Sequence, residues 1–332
     1  MKIKTFPKIR ALGLCSGGLD SILAGLLLQR NGIEPEWITY ETPFFSASKA
    51  RQAAKAHHIP LTVKNITSAY IPMLKSPPCG YGKYMNPCLD CHALMFRLAG
   101  EMMQPRQFKF LFSGEVVGQR PMSQTRPSLR YVEKHSGYDG YIIRPLSAKK
   151  LPVTIPEKEG WIDREQLLGL SGRTRKPQIE LARQFGVTDY PAPAGGCLLT
   201  DKGYSTRLKD YFNHQDDWHE AELHLLKFGR HFRLINDTKL IVGRTQQDNQ
   251  CIGQYFNRKR DIRLNVKRFP GPLCILSYCT DPELVKLAAS VCVGYSKAPR
   301  STPVAVQIAT PDGSETLAVV GVTPAEMKPL MI

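Results

Sequence analysis

Short apolar runs and amphipathic stretches alternate along the first half of the chain. Residues 10–15 (RALGLC) are an apolar run of strand length, and residues 20–30 repeat apolar positions at helical spacing until Asn31 and Gly32 stop them. Residues 37–41 read as a second strand, 46–57 as a helix with a serine start, 61–66 as a third strand and 108–113 (FKFLFS) as a fourth. Strands alternating with helices require right-handed crossovers, so the pattern predicts an α/β fold with a doubly wound, mostly parallel sheet. Ligands of such sheets bind beyond the carboxyl ends of the strands.

From residue 148 to 176 the pattern loosens into proline, glycine and charge. A helix over 178–185 then leads into the Pro/Gly segment 190–197, where the backbone turns tightly and can come close to a ligand. The boundary is expected just after it, giving domains 1–204 and 205–332. The second half is less regular, a smaller α+β domain with strands over 239–244, 262–266 and 273–278 and a helix over 282–291. The longest apolar stretch, residues 22–28, is far shorter than a bilayer span, and the start lacks the marks of a signal peptide. The expectation is a cytoplasmic protein with no membrane partner.

Charge changes this picture in one respect. The net charge of +16 is distributed as +12 over residues 1–199 and +4 over 200–332. Such an excess suits a polyanionic partner, because each neutralised phosphate releases counterions. Nine cysteines in a chain of this kind argue for reduced thiols that bind metal or carry sulfur rather than for disulfides. Cys274, Cys279 and Cys292 sit in apolar surroundings and read as core, Cys15 reads as packing, and Cys251 offers no partner.

Ser16-Gly17-Gly18-Leu19-Asp20-Ser21 falls between the first strand and the first helix, where a phosphate loop belongs. Glycines leave room for phosphate oxygens, amides and the helix start aim positive dipoles at them, and the two serines add donors. The lysine of the Walker A pattern is missing, and Asp20 suits Mg²⁺ beside the phosphates. Cys88 and Cys91 open a helix expected over 91–103, whose N-terminus favours thiolates. Cys197, in the Pro/Gly turn, is a third thiol. Gly114, Gln119 and Arg120 follow the fourth strand and so lie at the same sheet edge, where Gln119, Arg120 and Gln124 can position a nucleotide; Arg120, Arg126 and Arg130 suit phosphate contacts.

The SGGxDS loop resembles that of the PP-loop ATPases, the adenine nucleotide alpha hydrolase-like enzymes that cleave ATP between its α and β phosphates and adenylate an acceptor. Thr42-Pro-Phe-Phe-Ser46, Gly114-Glu115 with Gly118-Gln119 and Ser123-Gln124, and Arg144-Pro-Leu-Ser147 resemble the catalytic domain of tRNA 4-thiouridine synthetases. Asn86-Pro-Cys-Leu-Asp-Cys91 is closer to tRNA 2-thiouridylases and their iron–sulfur relatives. The resemblance implies that Ser16, Gly17, Gly18, Asp20, Ser21, Gly114 and Gln119 bind ATP and that Asp20, Cys88, Cys91 and Cys197 are catalytic. Two uses of the thiols stay open. Either one cysteine carries a persulfide sulfur and another resolves it, or Cys88, Cys91 and Cys197 hold a [4Fe–4S] cluster with one iron open, the version that three thiols favour. A structural zinc site of Cys79, Cys88, Cys91 and His92 is the rival.

Asp237-Thr-Lys-Leu-Ile-Val-Gly-Arg244 followed by Asp248-Asn249 resembles the RNA-binding module of the NFACT family, which points to Lys239, Arg244, Arg258, Lys259 and Arg260 as phosphate contacts. The N-terminal RNA-binding extension of the 4-thiouridine synthetases has no counterpart here, which gives this module a substitute role. Together these readings imply an ATP-dependent sulfurtransferase that adenylates a uridine of tRNA and installs sulfur, at C2 or C4, from sulfide or a persulfide carrier. A homodimer is compatible with the reading. The alternatives are a PP-loop ligase that amidates a small molecule, or a non-catalytic tRNA- or ribosome-binding protein.

Overall fold

In the computed structural model the chain divides into two compact units, Met1–Thr200 and Asp201–Ile332. The structure describes residues 9–192, 196–277 and 279–332. The middle of the Pro/Gly segment 190–197 and the end of the strand expected over 273–278 lie outside the described residues.

The first unit rests on five strands, β1 (Arg10–Leu14), β2 (Glu34–Glu41), β3 (Leu61–Asn65), β4 (Phe110–Ser113) and β5 (Ile142–Ile143). They run parallel in the order β3-β2-β1-β4-β5. Alternation along the strands splits the core. Ala11, Trp37, Phe110 and Phe112 pack on one face with Leu23 and Leu27 of α1 (Leu19–Arg30) and Ala50 of α2 (Ser48–His57). On the other face α3 (Thr67–Lys75) precedes α4 (Cys88–Gly100), and Tyr40 donates its hydroxyl to the Met95 carbonyl of α4 at 3.0 Å. The doubly wound fold read from the sequence is present. Its chain runs from β1 outward to β2 and β3, then returns to β4 and β5 on the other side. The switch point therefore lies between the carboxyl ends of β1 and β4, the crevice where such sheets bind ligands.

Two boundaries matter for the site. The helix expected from residue 91 begins at Cys88, so Cys88 and Cys91 share its first turn at a spacing that puts them on one face. The helix α5 (Arg126–Ser136), which the pattern did not suggest, starts where Thr125 accepts a hydrogen bond from the Ser128 amide and buries Leu129 and Val132. After the short α6 (Ile155–Lys158), α7 (Lys176–Phe185) begins two residues before its expected start.

The second unit opens with α8 (Lys202–His214) and α9 (Glu220–Leu225). Its strands are β6 (Arg230–Arg233), β7 (Lys239–Val242), β8 (Ile262–Val266), β9 (Cys274–Ser277), β10 (Val304–Thr310) and β11 (Gly313–Val319). They form one antiparallel sheet, β11-β10-β8-β9-β7-β6. One face packs Leu264, Val306 and Ile308 with Ala288, Val291 and Cys292 of α11 (Pro282–Gly294); Cys274 and Cys279 belong to the same core, as expected. On the other face Ile252 of α10 (Gln246–Gln254) packs with Ile241, Leu273 and Ile275. A short α12 (Pro324–Met327) follows β11. Among the described residues no helix is long and apolar enough to cross a membrane.

Candidate functional site

The loop between β1 and α1 is built for an anion. Gly17 takes φ +72°, and a Cβ there would lie 2.2 Å from the Lys49 backbone, so only glycine lets the loop pass the start of α2. Gly18 stands at the N-cap position of α1, and no side chain caps the helix. Its first amides are left for a ligand, with the positive end of the helix dipole behind them. Ser16 is exposed, whereas Ser21 is buried and donates to the Gly18 carbonyl at 2.8 Å, holding the turn. Cys15 is buried, its thiol pushed up to about 11 by burial, and accepts from the Gly17 amide at 3.4 Å. It supports the loop, in keeping with a packing role.

Asp20 sits in the first turn of α1. Gln119 donates to its Oδ2 at 2.7 Å, and Gln178 of α7 donates to Gln119 Oε1 at 2.7 Å. The Arg175 guanidinium lies 3.9 Å from the same Oδ2. Burial pushes the Asp20 carboxyl above its usual range, and Gln119, Arg175 and Arg120 offset this only in part. Asp20 Oδ1, Arg175 Nε, Gln178 Oε1 and Gln124 Oε1 are all buried without a partner. Buried polar atoms are nearly always satisfied, so four orphans around one loop mark a place for a polar ligand. Mg²⁺ prefers carboxylate and phosphate oxygens, and Asp20 Oδ1 is a free oxygen of that kind. Arg175 and Gln178 were missed in the sequence because the segment before α7 reads as a basic linker; its one signal was charge ahead of a helix.

Across the switch point, β4 ends in Ser113, Gly114 and Glu115. A Cβ on Gly114 would lie 2.3 Å from the Asp20 backbone, so this glycine lets the end of β4 press against the first turn of α1. Glu115 beside it is buried and accepts from Ser113 Oγ at 2.9 Å and Arg144 Nε at 2.9 Å, while His92 Nδ1 lies 2.9 Å from its other oxygen. Arg144 is itself buried and reaches Glu133 and the Leu129 carbonyl. Burial alone would raise the Glu115 carboxyl, but Arg144 and His92 outweigh it and hold it well below the usual range. Arg130, one of the expected phosphate contacts, is instead paired with Asp139 and Glu133, while Arg126 and Arg120 are exposed.

His92 follows Cys91 directly, so Glu115 also fixes the first turn of α4. Asn86 donates to Cys88 Sγ at 3.3 Å. Leu198, next to Cys197, donates its amide to the Phe44 carbonyl at 2.9 Å, and the Phe44 ring lies 5.7 Å from that of Tyr70. Cys88, Cys91 and Cys197 lie close enough to one another and to Tyr70 that a charge on any of them raises the Tyr70 hydroxyl, after burial. All three thiols thus act on one buried hydroxyl, that of Tyr70. The expectation that the helix start favours thiolates is reversed at Cys91, where burial pushes the thiol well up; burial also pushes Cys197 up to about 11. Among the described residues no three His, Cys, Asp or Glu groups are close enough to hold a single metal ion. Of the zinc rival's four groups, His92 places Nδ1 2.9 Å from Glu115, and the Cys79 backbone amide donates to Asp90. A cluster bonds each thiolate to a different iron, so its ligands stand further apart, and an all-cysteine group of three suits it.

In the second unit two of the expected phosphate contacts are corrected. Lys239 is only 9% exposed, on β7, with its ammonium 5.5 Å from the Tyr211 ring centroid; burial lowers its pKa to about 8. Arg260 is paired with Glu222 and with Asp261, itself fully buried. Each has most of its surface taken up by neighbouring side chains, which leaves little of it for a phosphate. Arg244 is partly exposed but bound to Asp248 at 2.9 Å, and Arg258 and Lys259 are exposed.

A glycine- and serine-rich loop at the switch point of a parallel sheet marks the first unit as an α/β protein of the doubly wound class, joined to an antiparallel α+β unit. The comparisons with known proteins fit both halves. Residues 7–151 match the family described as thiamine biosynthesis protein (ThiI), and residues 229–330 match the NFACT protein RNA binding domain. The resemblances read from the sequence, to PP-loop thiouridine synthetases and to the NFACT module, hold. The chain is 30% identical over 141 residues to a probable tRNA sulfurtransferase of Oceanobacillus iheyensis, covering 41% of this chain and 34% of that protein. The match thus spans about a third of the length of that curated relative. Among solved structures, a 4-thiouridine synthetase–RNA complex with bound ATP is 20% identical, with a TM-score of 0.34 over 54% of this chain and 51% of that one. A predicted subunit of tRNA methyltransferase from Methanocaldococcus jannaschii is 17% identical, with a TM-score of 0.34 over 53% and 76%.

Proposed function

We propose that the chain is an ATP-dependent tRNA sulfurtransferase that replaces a uridine carbonyl oxygen with sulfur. The observation that carries this reading is the junction at Gly114 and Glu115. One residue presses on the first turn of the phosphate loop's helix, and the next fixes the turn that bears Cys88 and Cys91. A nucleotide loop and a group of thiols are thereby tied to one sheet edge.

ATP lies along Gly17 and Gly18 on the free first amides of α1, with Ser16 donating to a phosphate, Ser21 holding the turn, and Gly114 and Gln119 closing the crevice. Arg120 and Arg175 face the polyphosphate and stabilise the charge that leaves as pyrophosphate. Asp20 would hold Mg²⁺, which would neutralise phosphate charge. The uridine oxygen attacks the α-phosphorus, the bond to the β-phosphate oxygen breaks, and the base becomes adenylated. Sulfide then attacks the carbon that bears this oxygen, and AMP departs with the oxygen. If the sulfur comes from a persulfide, the base is first left in a disulfide with the carrier. A second cysteine thiolate then attacks the carrier's sulfur, forming a disulfide with it and releasing the thiolated base. Cys88, Cys91 and Cys197 would hold a [4Fe–4S] cluster, which would supply a binding site for sulfide. The protein's share is to position the reactants and keep water out. The second unit supplies the hold on tRNA.

The test is anaerobic purification followed by a visible spectrum, iron and zinc analysis, and mass spectrometry of nucleosides from tRNA incubated with ATP and sulfide. About four irons per chain, lost in Cys197→Ala, and a thiolated uridine that requires ATP are expected. Zinc without iron sinks the cluster, and no thionucleoside under any sulfur donor sinks the function.

A further inference from the structure

We infer that the second unit binds single-stranded RNA across the open face of its sheet, with one base seated in the groove between α10 and β8. The inference rests on the tRNA reading above and assigns it a surface. Helix α10 covers only part of its face of the sheet: Ile252 packs on Ile241 and Ile275. Beyond it, strand register defines the rest, since directly opposed residues share a face. Ile275 pairs with Arg263, Arg263 with Ala309, Asn265 with Gln307, and Gln307 with Thr316. Lys267 belongs to the same face, because its ammonium meets Thr316 Oγ1 at 2.8 Å. Ala309 pairs with Ser314 and Ala305 with Ala318, so the outer part is flat and small. Glu315 opposes the buried Ile308 and belongs to the other face. Among the described residues this face from β8 to β11 carries Arg263 and Lys267 and no carboxylate.

A groove of about 450 Å³ lies where α10 meets β8, lined by Gln246, Asn249, Gln250, Arg263, Asn265 and Gly271 among others. That is the size of a small-ligand cleft, about 300–1,000 Å³. Asn249 is committed to the wall, donating to the Gly271 carbonyl at 3.3 Å and accepting from the Leu273 amide at 2.9 Å. The amides of Gln246, Gln250 and Asn265 remain for a ligand, and an amide's paired donor and acceptor match a base edge. Phe269, two residues from Gly271, is a large apolar side chain left 40% exposed. A flat cationic surface, an amide-lined groove and an exposed ring are what splayed bases need, whereas a duplex hides the base edges.

The experiment uses the full chain, a tRNA transcript and a short oligouridylate, with binding followed by fluorescence anisotropy across a salt series. Phe269→Ala is expected to weaken the oligouridylate about tenfold. Arg263→Glu with Lys267→Glu should weaken both ligands more and flatten the salt dependence by about two charges. Lys286→Ala, on the helix that covers the opposite face of the sheet, should stay within about twofold of the unaltered chain, since an exposed cation off the binding surface matters little at moderate salt. Ultraviolet crosslinking of the oligouridylate to the unaltered chain should map to residues 263–271, a readout independent of how the variants fold. Crosslinks elsewhere, or unchanged binding in the folded face variants, overturn this surface alone. An unaltered chain that binds neither RNA in low salt overturns the tRNA reading with it.

Discussion

Two buried polar networks meet at Gly114 and Glu115, and they differ in how completely they are satisfied. Around Glu115 and Arg144, both carboxylate oxygens and the guanidinium have partners at hydrogen-bond distance. Around Asp20, a carboxylate oxygen, a guanidinium nitrogen and two amide oxygens have none. The first network is closed and has nothing left to offer a ligand. The second is open at the switch point of the sheet. The same residue types, carboxylate, arginine and amide, thus act as scaffold in one place and as a receptive site a few residues away. What separates them is saturation, because an unpaired buried group carries a desolvation cost that a ligand can remove.

The largest effect that tests this contrast is on the closed side. Arg144→Met should cost about 3–5 kcal/mol of stability by urea unfolding, because it strands the buried Glu115. The deficit should narrow in acid, where Glu115 without Arg144 takes up a proton. Next comes Asp20→Ala, expected to lower thionucleoside formation about 10²–10³-fold while the unfolding free energy falls by only about 1 kcal/mol. If Asp20→Ala destabilises as much as Arg144→Met, Asp20 is scaffold too and the contrast is broken.

Lys239 extends the comparison to the second unit and gives the smallest of the three effects. Its pKa falls from 10.5 to about 8 on folding, chiefly through burial. The folded chain therefore carries a penalty for its charge that is complete below pH 8 and fades as pH rises from 8 towards 10.5. Lys239→Met should accordingly stabilise at pH 7 by on the order of 2 kcal/mol, with the gain lost above about pH 10. A destabilised variant at pH 7 would show that Lys239 belongs, like Arg144, to a network its neighbours require.

Much of the first unit was legible along the chain. β1, the loop and α1 announce themselves because a strand-length apolar run, glycines and helical periodicity stand next to one another. α3 and α5 did not, since Pro72 interrupts one and prolines and charges dominate the other. The thiols were legible as residues. Their burial was not, and it reversed the expected effect of the helix start at Cys91. Lys239 and Arg260 show the same limit from the other side, for a sequence displays a charge without displaying what surrounds it.

By itself, then, the sequence determined the alternation of β1 to β4 with α1 and α2, the glycine- and serine-rich loop between β1 and α1, and the spacing of Cys88 and Cys91, because these are written in local spacing and composition. The tertiary structure alone decided which distant groups meet. Asp20, Gln119 and Gln178 form one hydrogen-bonded chain across separations of 99 and 59 residues, and only the crossover from β1 to β4 and the return of α7 bring them together. Hydrogen bonding and desolvation depend on a few ångströms between atoms, a distance that position along the chain does not encode.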